Sequence, residues 1–125
     1  MSLDIYSEII LDHFKNPHNF GKLENADAHA KDVNPSCGDE IEIFMKVKDK
    51  KIAEVKFEGR GCAISQASAS MLTDELKGKS VGEAARLENN FVLDLLGVNL
   101  SAMRVKCAML PLNVLKTAAT SCLKK

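Results

Sequence analysis

Two alternating runs joined by a two-residue turn constrain the fold of this chain most strongly. In residues 40–48 apolar and charged side chains alternate, and residues 51–58 repeat the pattern after the turn Asp49-Lys50. A period of two predicts strands with one wet face, and so short a connection joins them as an antiparallel hairpin. The start of the first strand then lies beside the end of the second. The residues predicted to share the apolar face are Ile41, Ile43, Met45, Val47, Ala53, Val55 and Phe57.

Chemically reactive side chains stand at the ends of this hairpin that are expected to meet. The segment Asn34-Pro35-Ser36-Cys37-Gly38-Asp39 cannot be a regular helix, because proline fixes its own φ and disfavours the α region for the residue before it. We expect a tight loop with Cys37 and Asp39 on nearly the same side. Cys62 follows Gly59-Arg60-Gly61 at the end of the second strand. Hairpin geometry therefore predicts that Cys37, Asp39 and Cys62 come together.

The flanking segments favour helices, with one further strand. Residues 26–33 alternate weakly, as in an edge strand, and residues 64–76 predict a helix that places Cys62 just before its N-terminus, where partial positive charge favours a thiolate. Ser80 and Glu83 match a capping box. A first helix is predicted over residues 2–15, where Ile5, Ile9, Leu11 and Phe14 stand at helical spacing. Further along, we predict an interruption at Asn89-Asn90 and then a short helix closed by Gly97. After a connection over residues 101–106, a last helix is predicted from Cys107, with Pro111 in its first turn.

Composition narrows the function classes. The 125 residues are 46% hydrophobic and 27% charged with zero net charge, which favours one folded domain over residues 1–125 and argues against a nucleic-acid partner. No run approaches the eighteen apolar residues of a membrane span, so no membrane partner is expected. Met1-Ser2-Leu3-Asp4 does not resemble a secretory signal. We therefore expect a cytoplasmic protein, whose cysteines in a reducing compartment serve as ligands or nucleophiles.

Three of the four cysteines share a setting that suits a metal site. Cys37, Cys62 and Cys107 each lie at a loop next to a strand or helix, whereas Cys122 falls among apolar residues near the chain end and is interpreted as a packing residue. Three thiolates with the Asp39 carboxylate could hold zinc, iron in a cluster, or copper(I). A carboxylate is the weak member of such a set, so we infer a site that loads and unloads. The spacing does not mark the three histidines, His13, His18 and His29, as ligands, and they are interpreted as surface or core residues.

Covalent chemistry is the alternative interpretation of the same thiols. Cysteines at loop–helix junctions could accept sulfur as a persulfide. Lys106 and Arg104 stand beside Cys107, where they would stabilise its nucleophilic thiolate. Both cations are equally well explained as a solvated face, so the residues alone leave metal binding and sulfur transfer open.

Three motifs are spaced along the chain: Pro35-Ser36-Cys37-Gly38-Asp39, the run from Gly59 to Ser68, and Arg104-Val105-Lys106-Cys107-Ala108. Together they resemble one family, that of the IscU, NifU N-terminal and SufU iron–sulfur scaffolds, and the opening run from Tyr6 to Pro17 is similar to the family's first helix. The resemblance implies an α+β fold of the SufE/NifU type, with helices packed on a small three-stranded antiparallel sheet. It also implies that Cys37, Cys62 and Cys107 are cluster and persulfide thiols, and that Asp39 is the labile partner. A pyridoxal-phosphate cysteine desulfurase would supply the sulfur.

The chain departs from the family pattern at two places. Lys106 stands where the Isc branch usually has a histidine, which makes Asp39 the expected fourth ligand. Residues 100–106 lack both prolines of the stretch that a dedicated Hsp70 chaperone reads, so that chaperone is not an expected partner. The Arg-Val-Lys-Cys motif resembles SufU, in which zinc occupies the site and the protein relays sulfur. The interval between Cys62 and Cys107, however, resembles that of the Isc branch.

We therefore expect a non-enzymatic scaffold that accepts sulfur on Cys107, collects iron, builds a [2Fe–2S] cluster on Cys37, Asp39, Cys62 and Cys107, and passes it to apo-proteins. The alternative is a zinc-dependent sulfurtransferase of the SufU type. A third hypothesis is an interaction domain that zinc merely stabilises. The sequence leaves the oligomeric state open, including a homo-oligomer.

Overall fold

The fold is α+β, as predicted, with five helices packed on a three-stranded antiparallel sheet of order β1-β2-β3 in the part of the chain that the structure describes. The computed structural model describes residues 8–35 and 38–123. Within these ranges no helix combines the length and the apolar character needed to cross a membrane. The elements in chain order are α1 (Glu8–Lys15), β1 (Ala28–Asn34), β2 (Asp39–Lys48), β3 (Lys51–Arg60), α2 (Ala63–Leu76), α3 (Val81–Ala85), α4 (Asn89–Leu96) and α5 (Ala102–Leu123).

The predicted hairpin is confirmed, and it sets the position of the loops that carry the reactive groups. Asp49 and Lys50 have φ angles of 53° and 66°, as a tight turn of the primed type requires. Glu40 at the start of β2 pairs with Arg60 at the end of β3, and Asn34 at the end of β1 pairs with Asp39. The end of β1, the start of β2 and the end of β3 therefore share one edge of the sheet.

A bulge near the turn changes which side chains of β3 face the core. Lys46 pairs with Glu54, but the next pair is Val47 with Ile52, so β3 contributes an extra residue there. Ala53 was predicted to face inward, and this prediction is wrong: Ala53 is exposed and Ile52 is buried in its place. One extra residue in a strand of period two reverses the faces on its far side.

Helix α2 lies at the centre of the molecule. Nearly all of its residues are buried, including Ser65, Ser68, Ser70 and Thr73. The Ser68 hydroxyl donates a 2.7 Å hydrogen bond to the carbonyl oxygen of Ala108 in α5, and Thr73 bonds to carbonyl oxygens of its own helix. Small side chains let the backbones approach closely, and each buried hydroxyl has a partner. The orientation of α2 is thereby fixed against α5.

Two helix boundaries differ from the prediction. Helix α5 begins at Ala102, so Cys107 lies in its second turn and Pro111 in its interior, whereas both were predicted at its start. Ser101 marks the true start, since its side chain accepts a 3.4 Å hydrogen bond from the Arg104 N–H. Similarly, Asn89 begins α4 and does not interrupt a helix. The predicted capping box of Ser80 with Glu83 and the left-handed Gly97 that closes α4 are both confirmed.

Helix α1 packs through a side chain next to the predicted apolar stripe. Ile10 is fully buried, whereas Ile9 is 62% exposed and Phe14 is 41% exposed. Ile5 and Tyr6 lie outside the described residues.

We expect Ile10→Ala to lower the free energy of unfolding by about 2–5 kcal/mol, because it removes a buried side chain and leaves a cavity.

Ile9→Ala is the matched control, with an expected change within about 0.5 kcal/mol because the side chain is already in solvent. Urea unfolding followed by circular dichroism measures both variants. Equal losses in the two would contradict the orientation of α1.

Candidate metal centre

Three donor side chains meet at the sheet edge where the strand ends converge. One oxygen of Asp39 and the sulfurs of Cys62 and Cys107 all lie within 4.8 Å of one another. Asp39 is the first residue of β2, Cys62 immediately precedes α2, and Cys107 lies in α5. Residues distant in sequence are thus brought to one point by the hairpin and by the packing of α5. Cys37, the other predicted ligand, lies outside the described residues.

Asp39 is a fully buried carboxylate with both oxygens directed at Cys62. Its Oδ1 accepts a 2.8 Å hydrogen bond from the backbone N–H of Cys62, and its Oδ2 is 3.5 Å from the Cys62 Sγ. A buried carboxylate without partners would be costly, so this bond fixes its position. One oxygen holds the loop while the other faces the thiol, which leaves Oδ2 placed to act as a ligand.

Glycine at position 61 is required by the approach of the Asp39 side chain. Gly61 has a φ of 136°, which side chains of L-residues rarely allow. A Cβ placed there would overlap the Asp39 carboxylate and would lie 2.8 Å from the Asp39 Cα. Gly59 is confined in the same way, since a Cβ there would lie 2.5 Å from the carbonyl oxygen of Glu40. At Gly59 and Gly61 the backbone lies so close to β2 that there is no room for a side chain.

Cys62 occupies the N-cap position of α2, as the sequence predicts. Its backbone is extended, with φ −72° and ψ 162°, and its side chain makes no capping hydrogen bond. Ser65 in the first turn donates to the Cys62 carbonyl oxygen at 3.1 Å, and its hydroxyl lies 3.9 Å from the Sγ. Cys62 is partly exposed, and its N-cap position puts it next to the backbone N–H groups at the helix start.

Cys107 is completely buried, in contrast with the exposed junction predicted for it. Lys106 is exposed. It lies about 100° away from Cys107 around the axis of α5, since consecutive residues in a helix do not share a face. Arg104 precedes Cys107 by three residues and lies on the same side of α5, where it is partly buried. The predicted influence of Lys106 and Arg104 on the Cys107 thiolate stays a prediction, with Arg104 the better placed of the two.

This donor set fits a soft or borderline metal. Zinc–sulfur bonds are about 2.3 Å long, so two thiolates on one ion lie no more than roughly 4.6 Å apart, and the three donor atoms here all lie within 4.8 Å of one another. Thiolates favour zinc, copper(I) or cluster iron over magnesium or calcium. The site can therefore hold a thiophilic ion or a small cluster after a modest adjustment. Cys122, in the last turn of α5, is not part of this group.

Comparison with known proteins finds a matching family model and similar proteins from other organisms. A family model described as the NifU-like N terminal domain matches residues 5–125. The chain is 39% identical over 121 residues to the iron–sulfur cluster assembly scaffold protein IscU 1 of Archaeoglobus fulgidus, which covers 97% of this chain and 78% of the relative. It is 38% identical over 124 residues to the zinc-dependent sulfurtransferase SufU of Bacillus subtilis, which covers 85% of this chain and 83% of the relative.

Solved structures share the fold. The crystal structure of a proposed iron–sulfur cluster assembly scaffold protein for the SUF system of Fervidobacterium islandicum matches with a TM-score of 0.81 and 36% identity, over 95% of this chain and 99% of that chain. The N-terminal part of a NifU-like protein from Brucella abortus matches with a TM-score of 0.78 at 19% identity, over 98% of this chain and 96% of that one. The second similarity concerns the fold alone.

The contact at Gly61 generates a specific prediction. We expect Gly61→Ala to weaken Zn²⁺ or Co²⁺ binding by at least about tenfold, because the new methyl group displaces the carboxylate of Asp39, which positions the site. Competition with a chromophoric chelator measures the affinity.

Gly21→Ala is the matched control. Gly21 has a similar φ of 131°, but a Cβ there would lie 3.8 Å from its nearest neighbour, the Lys56 side chain. Both variants carry the strain of an unfavourable φ, of the order of 1 kcal/mol. Only Gly61→Ala should alter metal affinity, and equal affinities in the two variants would refute the role given to this contact.

Proposed function

The chain belongs to the NifU-like N-terminal domain family, as the sequence motifs indicated, and we propose that it is a scaffold on which an iron–sulfur cluster is assembled and then passed to apo-proteins. The single observation that carries this proposal is the meeting of Asp39, Cys62 and Cys107 within 4.8 Å at one edge of the sheet. The cluster is cargo, so the protein is a carrier and not an enzyme. Its site must therefore bind the cluster and also release it.

We propose that Cys37, Cys62, Cys107 and Asp39 are the four ligands of a [2Fe–2S] cluster. Three thiolates supply the tight bonds that cluster iron prefers. The carboxylate of Asp39 is a harder and weaker ligand, and its Oδ1 is already engaged by the Cys62 N–H. Release can then begin by exchange of one carboxylate oxygen for water, while the thiolates remain bound.

Sulfur would reach the site as a persulfide carried by a cysteine desulfurase that uses pyridoxal phosphate. The Cys107 thiolate attacks the outer sulfur of the enzyme's persulfide, a new S–S bond forms on Cys107, and the enzyme cysteine leaves as a thiolate. This transfer is balanced without an added oxidant. Because Cys107 is fully buried, the residues that cover it must move when the donor docks. Arg104, on the same side of α5, would support the anionic forms.

A zinc-dependent sulfurtransferase is the second candidate. Lys106 before Cys107 and the 38% identity to SufU of Bacillus subtilis favour it. In that case zinc would occupy the same donors and the protein would relay sulfur without building a cluster. The two candidates differ in the metal required, which is the basis of the next experiment.

The remaining proposals concern the extent of the domain, its partners and its cellular compartment. We propose that residues 1–125 form one scaffold domain, supported by the family match over residues 5–125. The proposed partners are the cysteine desulfurase and apo-proteins that accept the cluster. Free thiols at the site require a reducing compartment, and we propose the cytoplasm.

Anaerobic reconstitution tests the function. With ferrous iron, cysteine, a cysteine desulfurase and a thiol reductant that supplies the electrons for converting persulfide sulfur to sulfide, the protein should develop the visible charge-transfer bands of a [2Fe–2S] cluster. Cys62→Ser and Cys107→Ser should lose these bands, because each removes a thiolate ligand. Cys122→Ser is the matched control and should keep them, since that thiol lies outside the group.

The zinc alternative makes the opposite forecast for the same samples. A colourless protein that holds stoichiometric zinc, and whose persulfide relay stops when zinc is removed, would replace the scaffold proposal. Persulfide on Cys62 or Cys122 in place of Cys107, detected by mass spectrometry, would remove Cys107 as the sulfur acceptor.

Asp39 gives a separate kinetic prediction. We expect Asp39→Ala to slow cluster transfer to an apo-ferredoxin by at least about tenfold, because the exchangeable ligand and its path to water are lost. Asp39→Asn retains an oxygen that can accept the Cys62 N–H bond, so it separates loss of charge from loss of loop structure. Transfer rates equal to wild type in both variants would exclude Asp39 from the release step.

A further inference from the structure

A second group of metal-binding side chains lies at the other end of α2. One nitrogen of His13, one nitrogen of His18 and one oxygen of Asp74 lie within 4.8 Å of one another. His13 is in α1, His18 follows it beyond the break at Pro17, and Asp74 is in the last turn of α2. Sequence spacing gave no sign of this group, and the two histidines were interpreted as ordinary surface or core residues.

Both imidazole rings are oriented through their Nδ1 atoms. His13 Nδ1 is 2.7 Å from the Ser70 hydroxyl, and His18 Nδ1 is 2.6 Å from Asp74 Oδ2. The ring centroids are 4.5 Å apart and the ring planes are tilted by 48°. Within residues 8–35 and 38–123 neither Nε2 has a hydrogen-bonding partner. His13 can therefore offer Nε2 as a ligand while its Nδ1 stays bonded to Ser70. His18 can offer Nδ1, where a metal ion would replace the proton shared with Asp74 Oδ2.

The surrounding contacts hold the group in place. The Ser70 hydroxyl also accepts the backbone N–H of His18 at 2.8 Å. The Asn19 side chain donates to Thr73 Oγ1 at 3.0 Å and to Asp74 Oδ1 at 2.9 Å. Hydrogen bonds to the second nitrogen of an imidazole ligand, as between Ser70 and His13, and to a ligating carboxylate, as from Asn19 to Asp74, are usual at metal sites, where they raise affinity. The loop after α1 is thus tied to α2 by bonds that also position both rings.

The surroundings lower the pKa values of His13 and Asp74. Burial lowers the pKa of His13, and the neighbouring His18 lowers it further. Burial alone would raise the pKa of Asp74, but hydrogen bonds from His18 and Asn19 and the nearby imidazoles outweigh it, and the pKa lies below its ordinary value. A neutral imidazole at His13 and an ionised carboxylate at Asp74 are the states that bind metal ions.

We propose that His13, His18 and Asp74 form a second metal site, for a borderline divalent transition-metal ion such as Zn²⁺ or Fe²⁺. Two imidazoles with one carboxylate are a ligand set that such ions use, with one position open to water. Tetrahedral ligands about 2.1 Å from one ion lie roughly 3.4 Å from each other, so donor atoms that lie within 4.8 Å of one another need to move by no more than about 1.5 Å. Magnesium and calcium, which prefer oxygen ligands, are not expected to bind.

This site is independent of the thiolate group. Cys62 and Asp74 stand at opposite ends of α2, about 18 Å apart along its axis, so one ion cannot bridge the two groups. The two sites also differ in donor type, sulfur in one and nitrogen with oxygen in the other. Failure of either site therefore leaves the other untouched, and a spectroscopic probe can tell them apart.

Cobalt(II) is the probe. Full-length protein is first given one equivalent of Zn²⁺ to fill the thiolate site, and Co²⁺ is then added while the histidine ring protons are followed by NMR. His13 and His18 should show paramagnetic shifts or broadening, with no new thiolate-to-cobalt charge-transfer band. His29, exposed on β1 and stacked on Phe44, is the internal control and should be unaffected.

Variants give the second measurement. His18→Gln and Asp74→Asn should each weaken Co²⁺ binding by at least about tenfold, and His29→Gln should leave it unchanged. The proposal is overturned if Co²⁺ leaves the His13 and His18 signals in place, if it perturbs His29 equally, or if a charge-transfer band shows that the cobalt binds only to thiolates. The wild-type spectra decide the question even where a variant folds poorly.

Discussion

The hydrogen bond from the Cys62 N–H to the buried carboxylate of Asp39 is the contact on which the site depends. It joins the start of β2 to the start of α2, and it exists because the register of the hairpin puts Glu40 opposite Arg60. Glycine at position 61 lets the two segments approach closely enough to form it. A shift of one residue in the sheet would turn Asp39 to the opposite face and would separate it from both thiols.

The parts that could be predicted from the sequence are those with local causes. Alternation and a two-residue turn fix a hairpin, and the hairpin in turn brings Asp39 near Cys62 without any knowledge of the rest of the chain. The position of Cys62 before α2 and the capping of α3 at Ser80 likewise follow from neighbouring residues. The motifs around the cysteines identified the family, which supplied the α+β class, and the weak alternation over residues 26–33 indicated the third strand.

The parts that could not be predicted depend on packing between distant segments. The bulge opposite Val47 replaces Ala53 with Ile52 in the core, and no local signal marks it. Pro111 suggested a helix start, yet it is accommodated inside α5, and this moves Cys107 from an exposed end to a buried turn. The pairing of His13 and His18 with Asp74 requires α1 to lie across α2, a contact that their spacing does not encode.

Helix α2 is firmly held in place because it is buried along most of its length. Ser68 bonds it to α5, and Ser70 bonds it to the loop after α1. Rotating or sliding it would break the buried bond from Ser68 to Ala108 together with the partly buried bonds of Ser70, and buried polar groups are costly to leave unpaired. Access to the donor side chains near either end of α2 must therefore come from movement of the segments packed around it. Opening at one end then leaves the geometry of the other end intact.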